Sequence, residues 1–140
     1  MHDKDIILAK VASIQRCLCR IKEVTSLDPG SLENIDIQDI FLLNLQRGIQ
    51  AALDLAAHVV ASEGLGLPER ARDTFSLLKA AGILDGETAS RMEKMTGFRN
   101  IDVDDYQSLN PDILKSILAY RLKDLEDFYS ALLRHFSCEK

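Results

Sequence analysis

Residues Gly97 to Tyr106 read GFRNIDVDDY, a polar stretch that follows an apolar segment and holds an arginine, an asparagine, three aspartates and a tyrosine. On a regular helix, Asn100 and Asp104 share a face because side chains four residues apart nearly eclipse one another. Arg99 and Asp104 are five residues apart and would diverge by about 140°. They can therefore meet one ligand only if the helix kinks there, or if a second copy of the chain supplies half of the site.

Apolar periodicity predicts two long helices before this stretch. The first covers about Asp3–Thr25, where apolar residues recur at steps of three and four. The turn-forming residues Asp28–Ser31 end it, because proline fixes φ and glycine tolerates left-handed backbone. The second helix follows a cap at Asn34 or Asp36 and continues to about Glu63. Since it is apolar nearly all round, we expect it to be the central helix.

Three more helices are predicted after Gly64. A short third helix covers Pro68–Ala80, with Ala71, Phe75, Leu78 and Ala81 as its core stripe. Asp85 can cap a fourth helix that leads into the polar stretch, and Asn110–Pro111 begins a long terminal helix. No segment alternates convincingly at period two. The sequence therefore predicts an all-α antiparallel bundle of about five helices, in a single domain spanning residues 1–140.

The charge of the chain limits its partners. The formal net charge is -5 and the pI is near 5.1, so the broad basic surface of a general nucleic-acid-binding protein is missing. We expect no DNA partner, whereas a local RNA site remains compatible with this composition. The sequence contains no glycine-rich phosphate loop, nucleophile elbow or Cys/His arrangement, and we expect no cofactor.

The cysteines and apolar runs indicate a compartment. Cys17, Cys19 and Cys138 form no C-x-x-C pair and no zinc-ligand spacing, and an odd count argues against a secreted disulfide framework. Charges interrupt every apolar run before it reaches about 18 residues, and the first ten residues lack a signal-peptide layout. We expect a reduced, cytoplasmic protein with no membrane partner.

Two further polar groups are candidate sites. Asp54 and His58 lie four apart on the second helix, where the carboxylate can orient the imidazole; structural pairing is favoured over direct participation in a site. Asp102, Asp104 and Asp105 offer oxygen ligands, but adjacent side chains point apart and no calcium-loop pattern supports them. We therefore predict no metal site.

The spacing of the polar stretch resembles a known signature. Arg99-Asn100, position 104 and Tyr106 are similar to the R-N-x-x-x-H-x-Y pattern of the HEPN superfamily, most closely of the HepT-like toxins. The segments Leu43–Arg47 and Asp54–His58 resemble the second-helix pattern of the same family. The resemblance implies a dimeric HEPN-like bundle that acts as a metal-independent ribonuclease on RNA. It also implies an MNT-type nucleotidyltransferase antitoxin as partner.

Particular residue roles also follow from the resemblance. It places Arg99, Asn100 and Asp104 at catalytic positions, and it makes Tyr106 the acceptor of AMP from the nucleotidyltransferase. One departure affects catalysis: Asp104 occupies the position of the family histidine. Histidine titrates near neutral pH, whereas an exposed aspartate is ionised there and cannot donate a proton. Asp102 lies three residues from Arg99 and can compete with phosphate for the guanidinium.

Two functions are therefore predicted. The first is the toxin of a HEPN/MNT pair whose ribonuclease site is impaired in this chain. The alternative is a non-catalytic helical module that dimerises and docks a nucleotidyltransferase.

Overall fold

The computed structural model describes residues 3–99 and 111–136, and all regular structure in these two ranges is helical. The helices are α1 (Asp3–Thr25), α2 (Ile35–Ser62), α3 (Asp73–Ala80), α4 (Gly86–Met95), α5 (Pro111–Ser116) and α6 (Leu122–His135). A π-helical turn, Ile117–Arg121, joins α5 to α6 without a break, so the chain forms five helical rods within the described ranges. Short 3-10 turns occupy Pro29–Glu33 and Thr96–Phe98. The predicted all-α fold is confirmed.

Helix α2 lies at the centre of the bundle, as its composition predicts. It packs along α1 and also contacts α3 and α6. Twelve of its residues are buried, among them Phe41, Leu45, Ile49 and Leu55, which have no exposed surface. Helix α1 contributes a single stripe to the same hydrophobic core, formed by Ile7, Val11, Ile14, Leu18 and Ile21. Burial of these apolar stripes is the main force that holds the helices together.

Two predicted helix caps are present. The Asn34 side chain accepts hydrogen bonds from the backbone N–H groups of Asp36 (2.9 Å) and Ile37 (3.2 Å), so Asn34 rather than Asp36 caps α2. The Asp85 carboxylate accepts from the N–H of Thr88 at 2.7 Å and caps α4. Each bond satisfies an N–H that the helix itself leaves unpaired, an effect of about 1 kcal/mol per cap.

The predicted start of the third helix is wrong, because α3 begins at Asp73 and not at Pro68. The Asp73 carboxylate accepts from the backbone N–H of Arg70 at 3.1 Å and pairs with its guanidinium, while the Asp73 N–H donates to the Arg70 carbonyl at 3.0 Å. These bonds close a turn ahead of the helix. Ala71 and Ala81 are consequently exposed, and Thr74 joins Phe75 and Leu78 in the buried face.

The end of α4 determines where the polar stretch begins. Met92 and Met95 are buried in the core, and Phe98 packs against its edge. Helix α4 also packs against α6. The chain therefore enters the polar stretch from a fixed position on the bundle. No helix in the described part of the chain is long and apolar enough to cross a membrane.

Candidate functional site

Arg99 is the signature residue that the structure describes. The regular α-helix ends at Met95, and the 3-10 turn Thr96–Phe98 leads directly into Arg99. The Arg99 backbone N–H donates to the Thr96 carbonyl at 3.1 Å, and the residue is half-buried. The tighter turn changes the helical phase between α4 and Arg99.

The other residues of the predicted site lie outside the described residues. These are Asn100, Asp102, Asp104, Asp105 and Tyr106. Their roles therefore stay predictions. No group of three or more potential metal-ligating side chains occurs within residues 3–99 and 111–136.

A cavity of about 300 Å³ lies between the end of α4 and the π-helical turn. One of its lining residues, Phe98, directly precedes Arg99 in the sequence. Its lining consists of Arg91, Lys94, Met95, Phe98, Ile117, Arg121 and Asp124. Three of these side chains are cationic and three are apolar. The cavity thus combines positive charge with an apolar wall.

Asp124 is the carboxylate of this cavity and is only 1% exposed. Its oxygens lie 3.9 Å from Arg91 Nη1 and 3.8 Å from Arg121 Nη1, which are ion-pair distances beyond hydrogen-bond range. Both oxygens lack a hydrogen-bond partner in the part of the chain that the structure describes. Burial raises the pKa of Asp124 above its ordinary value, although Arg121 and Arg91 act in the opposite direction.

The cationic side chains around Asp124 are only partly neutralised. Arg91 also pairs with Glu87 at 3.2 Å, but Glu87 is largely exposed and its charge is screened by water. Lys94 is exposed in the last turn of α4. With three cations against one buried and one solvated carboxylate, the cavity keeps an excess of positive charge.

Sequence reasoning missed this cavity. The available signal was the phase of Asp124, which lies seven residues after the buried Ile117 and four before the buried Phe128. These spacings place an acidic residue on the core-facing side of its helix. A charged residue in that phase is unusual and indicates a paired or functional group.

The polar residues of the second-helix pattern have separate contacts. The Asn44 amide donates to the Ile40 carbonyl at 2.9 Å, and Arg47 is exposed. Asp54 pairs with Lys10 at 3.5 Å and accepts from the Gln50 amide at 2.9 Å. His58 is half-buried, and its pairing with Asp54 stays a prediction.

Comparison with known proteins assigns the class of this bundle. A crystal structure of a toxin–antitoxin with AMP-PNP superposes with a TM-score of 0.86 at 37% identity, covering 93% of this chain and 98% of the other. The structure of a tri-AMPylated Shewanella oneidensis HEPN toxin in complex with MNT antitoxin gives a TM-score of 0.85 at 37% identity, covering 96% of this chain and 99% of that one. The fold is therefore that of HEPN toxins.

The sequence comparisons name the family. The model of the family described as Ribonuclease HepT-like matches residues 14–132. The mRNA nuclease HepT of Shewanella oneidensis strain MR-1 is 38% identical over 128 residues, which is 91% of this chain and 96% of that protein. The chain belongs to the HepT-like ribonuclease family, as the resemblance of its signature indicates.

Proposed function

We propose that this chain is the toxin of a HEPN/MNT toxin–antitoxin pair and that its ribonuclease site is impaired by Asp104. The main support is its 38% identity to an mRNA nuclease over nearly the whole of both proteins. The toxin–antitoxin solved with AMP-PNP and the HEPN toxin solved in complex with MNT antitoxin superpose on this chain with TM-scores of 0.86 and 0.85. The substrate under this proposal is RNA, cleaved without a metal ion.

The chemistry of the signature explains why activity would be low. Metal-free RNA cleavage needs a group that transfers protons near neutral pH and a cation that stabilises charge developing on phosphorus. In this proposal Arg99 supplies the cation, and Asn100 is the next residue of the signature. Asp104 takes the place of the proton-transferring histidine and is ionised at pH 7 when exposed. Asp102 adds a competing negative charge close to Arg99 in sequence.

The replacement of histidine by Asp104 also favours the second candidate function, a non-catalytic interaction module. In that case the bundle only dimerises and docks an MNT-type nucleotidyltransferase. Both candidates include a homodimer, which the family resemblance implies. For the ribonuclease, the signature residues of one chain are also expected to complete a site with those of a second copy. Sedimentation at micromolar concentration as a monomer would contradict the dimer.

The function is tested by restoring the missing group. In Asp104→His combined with Asp102→Ala, we expect metal-independent cleavage of a fluorescent single-stranded RNA to rise by about 100-fold to 10,000-fold, the usual range for a general acid–base group. The assay contains a chelator so that metal-dependent contaminants are silent. Adding Arg99→Ala to this variant should abolish cleavage, since the phosphate-facing cation is lost. A folded double variant that cuts no RNA would leave the interaction module as the function.

Tyr106 is proposed as the AMP acceptor, in line with the AMPylated state of the Shewanella oneidensis relative. With the partner nucleotidyltransferase and ATP, intact-mass analysis should show AMP-sized increments that disappear in Tyr106→Phe. Tyr120→Phe is the matched control, because Tyr120 is 66% exposed and therefore accessible to modification. Increments that survive Tyr106→Phe, or none in the parent chain, would reject this assignment.

A further inference from the structure

We propose that the cavity between α4 and the π-helical turn is a ribonucleotide subsite that holds one nucleotide of single-stranded RNA beside the scissile bond. Arg91, Lys94 and Arg121 bind its phosphate, Asp124 accepts a hydrogen bond from its 2′-hydroxyl, and Phe98 contacts its base. This inference rests on the proposed ribonuclease function and assigns it a substrate-positioning site outside the signature residues.

The phosphate part of the subsite follows from unused hydrogen-bond donors. Arg91 and Arg121 face Asp124 at 3.9 and 3.8 Å, too far for a hydrogen bond. The charge of Asp124 attracts both guanidinium groups, but neither donates a hydrogen bond to it. Guanidinium groups match phosphate geometry well, and Lys94 adds a third positive charge at the rim.

The ribose part follows from the two Asp124 oxygens. They are buried and lack hydrogen-bond partners within residues 3–99 and 111–136, and Asp124 is one of the residues that line the cavity. Leaving a buried carboxylate without donors is unfavourable, so a ligand hydroxyl that donates to it is stabilised. The 2′-hydroxyl is the group that distinguishes RNA from DNA at such a position.

The base part follows from the apolar wall and from the size of the cavity. Phe98 and Met95 lie on the same cavity as the cationic groups, and Phe98 is only partly covered by the core. Bases stack on exposed aromatic rings in single-strand binding sites. A volume of about 300 Å³ suits a single nucleotide and is too small for a duplex.

The position of the cavity connects it to the proposed catalytic residue. Phe98 lines the cavity and immediately precedes Arg99, so the proposed catalytic cation is one residue along the chain from the cavity wall. The π-helical turn ends at Arg121, three residues before Asp124. Single π-helical turns are rare and frequently occur at functional sites.

The first test measures RNA binding by the chain as it stands, in which Asp104 keeps cleavage low. Fluorescence anisotropy with a short labelled single-stranded RNA should show about tenfold weaker binding for Lys94→Gln and for Arg121→Gln, the lower end for a hydrogen bond to a charged group. Each change should also reduce the slope of log affinity against log salt by about 0.7. Arg20→Gln is the matched control, because Arg20 is exposed on α1, pairs with Glu23 and does not line the cavity.

Probe chemistry separates the three parts of the subsite. Phe98→Leu should weaken binding of normal RNA by about fivefold or more, the lower end for a base–aromatic stack, and should not affect an abasic probe. Asp124→Asn should reduce the preference for RNA over the same DNA sequence. Arg121→Gln alone leaves the buried Asp124 charge with one cation fewer and can unfold the protein. The double variant Arg121→Gln with Asp124→Asn removes both charges of this pair, so its RNA affinity can be measured in that case. Binding equal to the parent in Lys94→Gln, Phe98→Leu and this double variant would overturn the subsite.

A kinetic test distinguishes failure of the subsite from failure of the nuclease function. In the Asp104→His and Asp102→Ala background, Lys94→Gln should raise KM for a long RNA and leave kcat unchanged. A dinucleoside monophosphate has the scissile phosphate but lacks the second phosphate that Lys94 binds, so it should be cleaved equally with and without Lys94→Gln. Equal losses on both substrates would overturn the subsite while leaving the nuclease intact. If the histidine-restored chain cuts nothing but the binding differences persist, the nuclease function fails and the ribonucleotide subsite stands.

Discussion

Gly48→Ala is expected to stabilise this protein, although Gly48 is buried where α1, α2 and α6 meet. A Cβ at this position would lie 3.5 Å from Cys17 Cβ and 3.6 Å from Leu125 Cδ1, which are ordinary van der Waals distances. Alanine in a helix interior is favoured over glycine by about 1 kcal/mol, and burying a methyl group adds up to about 0.8 kcal/mol. The free energy of unfolding should therefore rise by about 1 to 2 kcal/mol.

Equilibrium urea unfolding at constant pH measures this change. With an m-value of about 1–3 kcal/mol/M, the midpoint should rise by about 0.3 to 2 M. Gly64→Ala is the matched control: Gly64 has a φ of +64° and no atom within 4 Å of a built Cβ, so its alanine is strained rather than crowded. It should lower the free energy of unfolding by about 1 kcal/mol. A loss of stability in Gly48→Ala would show that the three helices pack more closely than these distances indicate.

Three further stability predictions use the same assay. Asp124 has a raised pKa in the folded state, so this carboxyl binds more protons in the native protein than in the unfolded chain between the ordinary and the raised pKa. Its contribution to stability therefore falls as pH rises through that window. Asp124→Asn lacks this dependence and should gain stability relative to the parent across the window, whereas parallel pH curves would contradict the assignment. Phe128→Ala should cost about 3 to 5 kcal/mol, because Phe128 is fully buried and forms an edge-to-face pair with Phe75 at 5.5 Å. Leu67→Ala, at a residue that is 95% exposed, should change stability by less than about 0.5 kcal/mol.

The helices were predictable wherever one local signal dominated. Asn34 and Asp85 are residues whose side chains satisfy helix N–H groups directly, and both cap the predicted helices. The long apolar pattern of Ile35–Ser62 predicted that α2 is the central helix. Pro68 was a weaker signal, because proline permits a helix start without requiring one. The competing carboxylate of Asp73 decided the actual start through its bonds to Arg70.

The cavity was harder to predict because it depends on contacts between separate helices. Arg91 and Arg121 are 30 positions apart and meet only because α4 packs against α6. The π-helical turn changes the phase of the terminal helix, and a regular 3.6-residue pattern gives no warning of it. Arg99 itself was identified from the signature spacing, while the residues from Asn100 to Asn110 lie outside the described part of the chain and keep their predicted roles.

Growth of cells that express the histidine-restored chain tests the central claim most directly. The account predicts that induction of Asp104→His with Asp102→Ala arrests growth, that the parent chain does so weakly or not at all, and that adding Arg99→Ala abolishes the arrest. The proton-transferring histidine and the phosphate-binding cation are then both required in one intact bundle. Unimpaired growth with a folded, abundant histidine-restored protein would contradict the claim that this chain is a ribonuclease toxin with a single missing catalytic group.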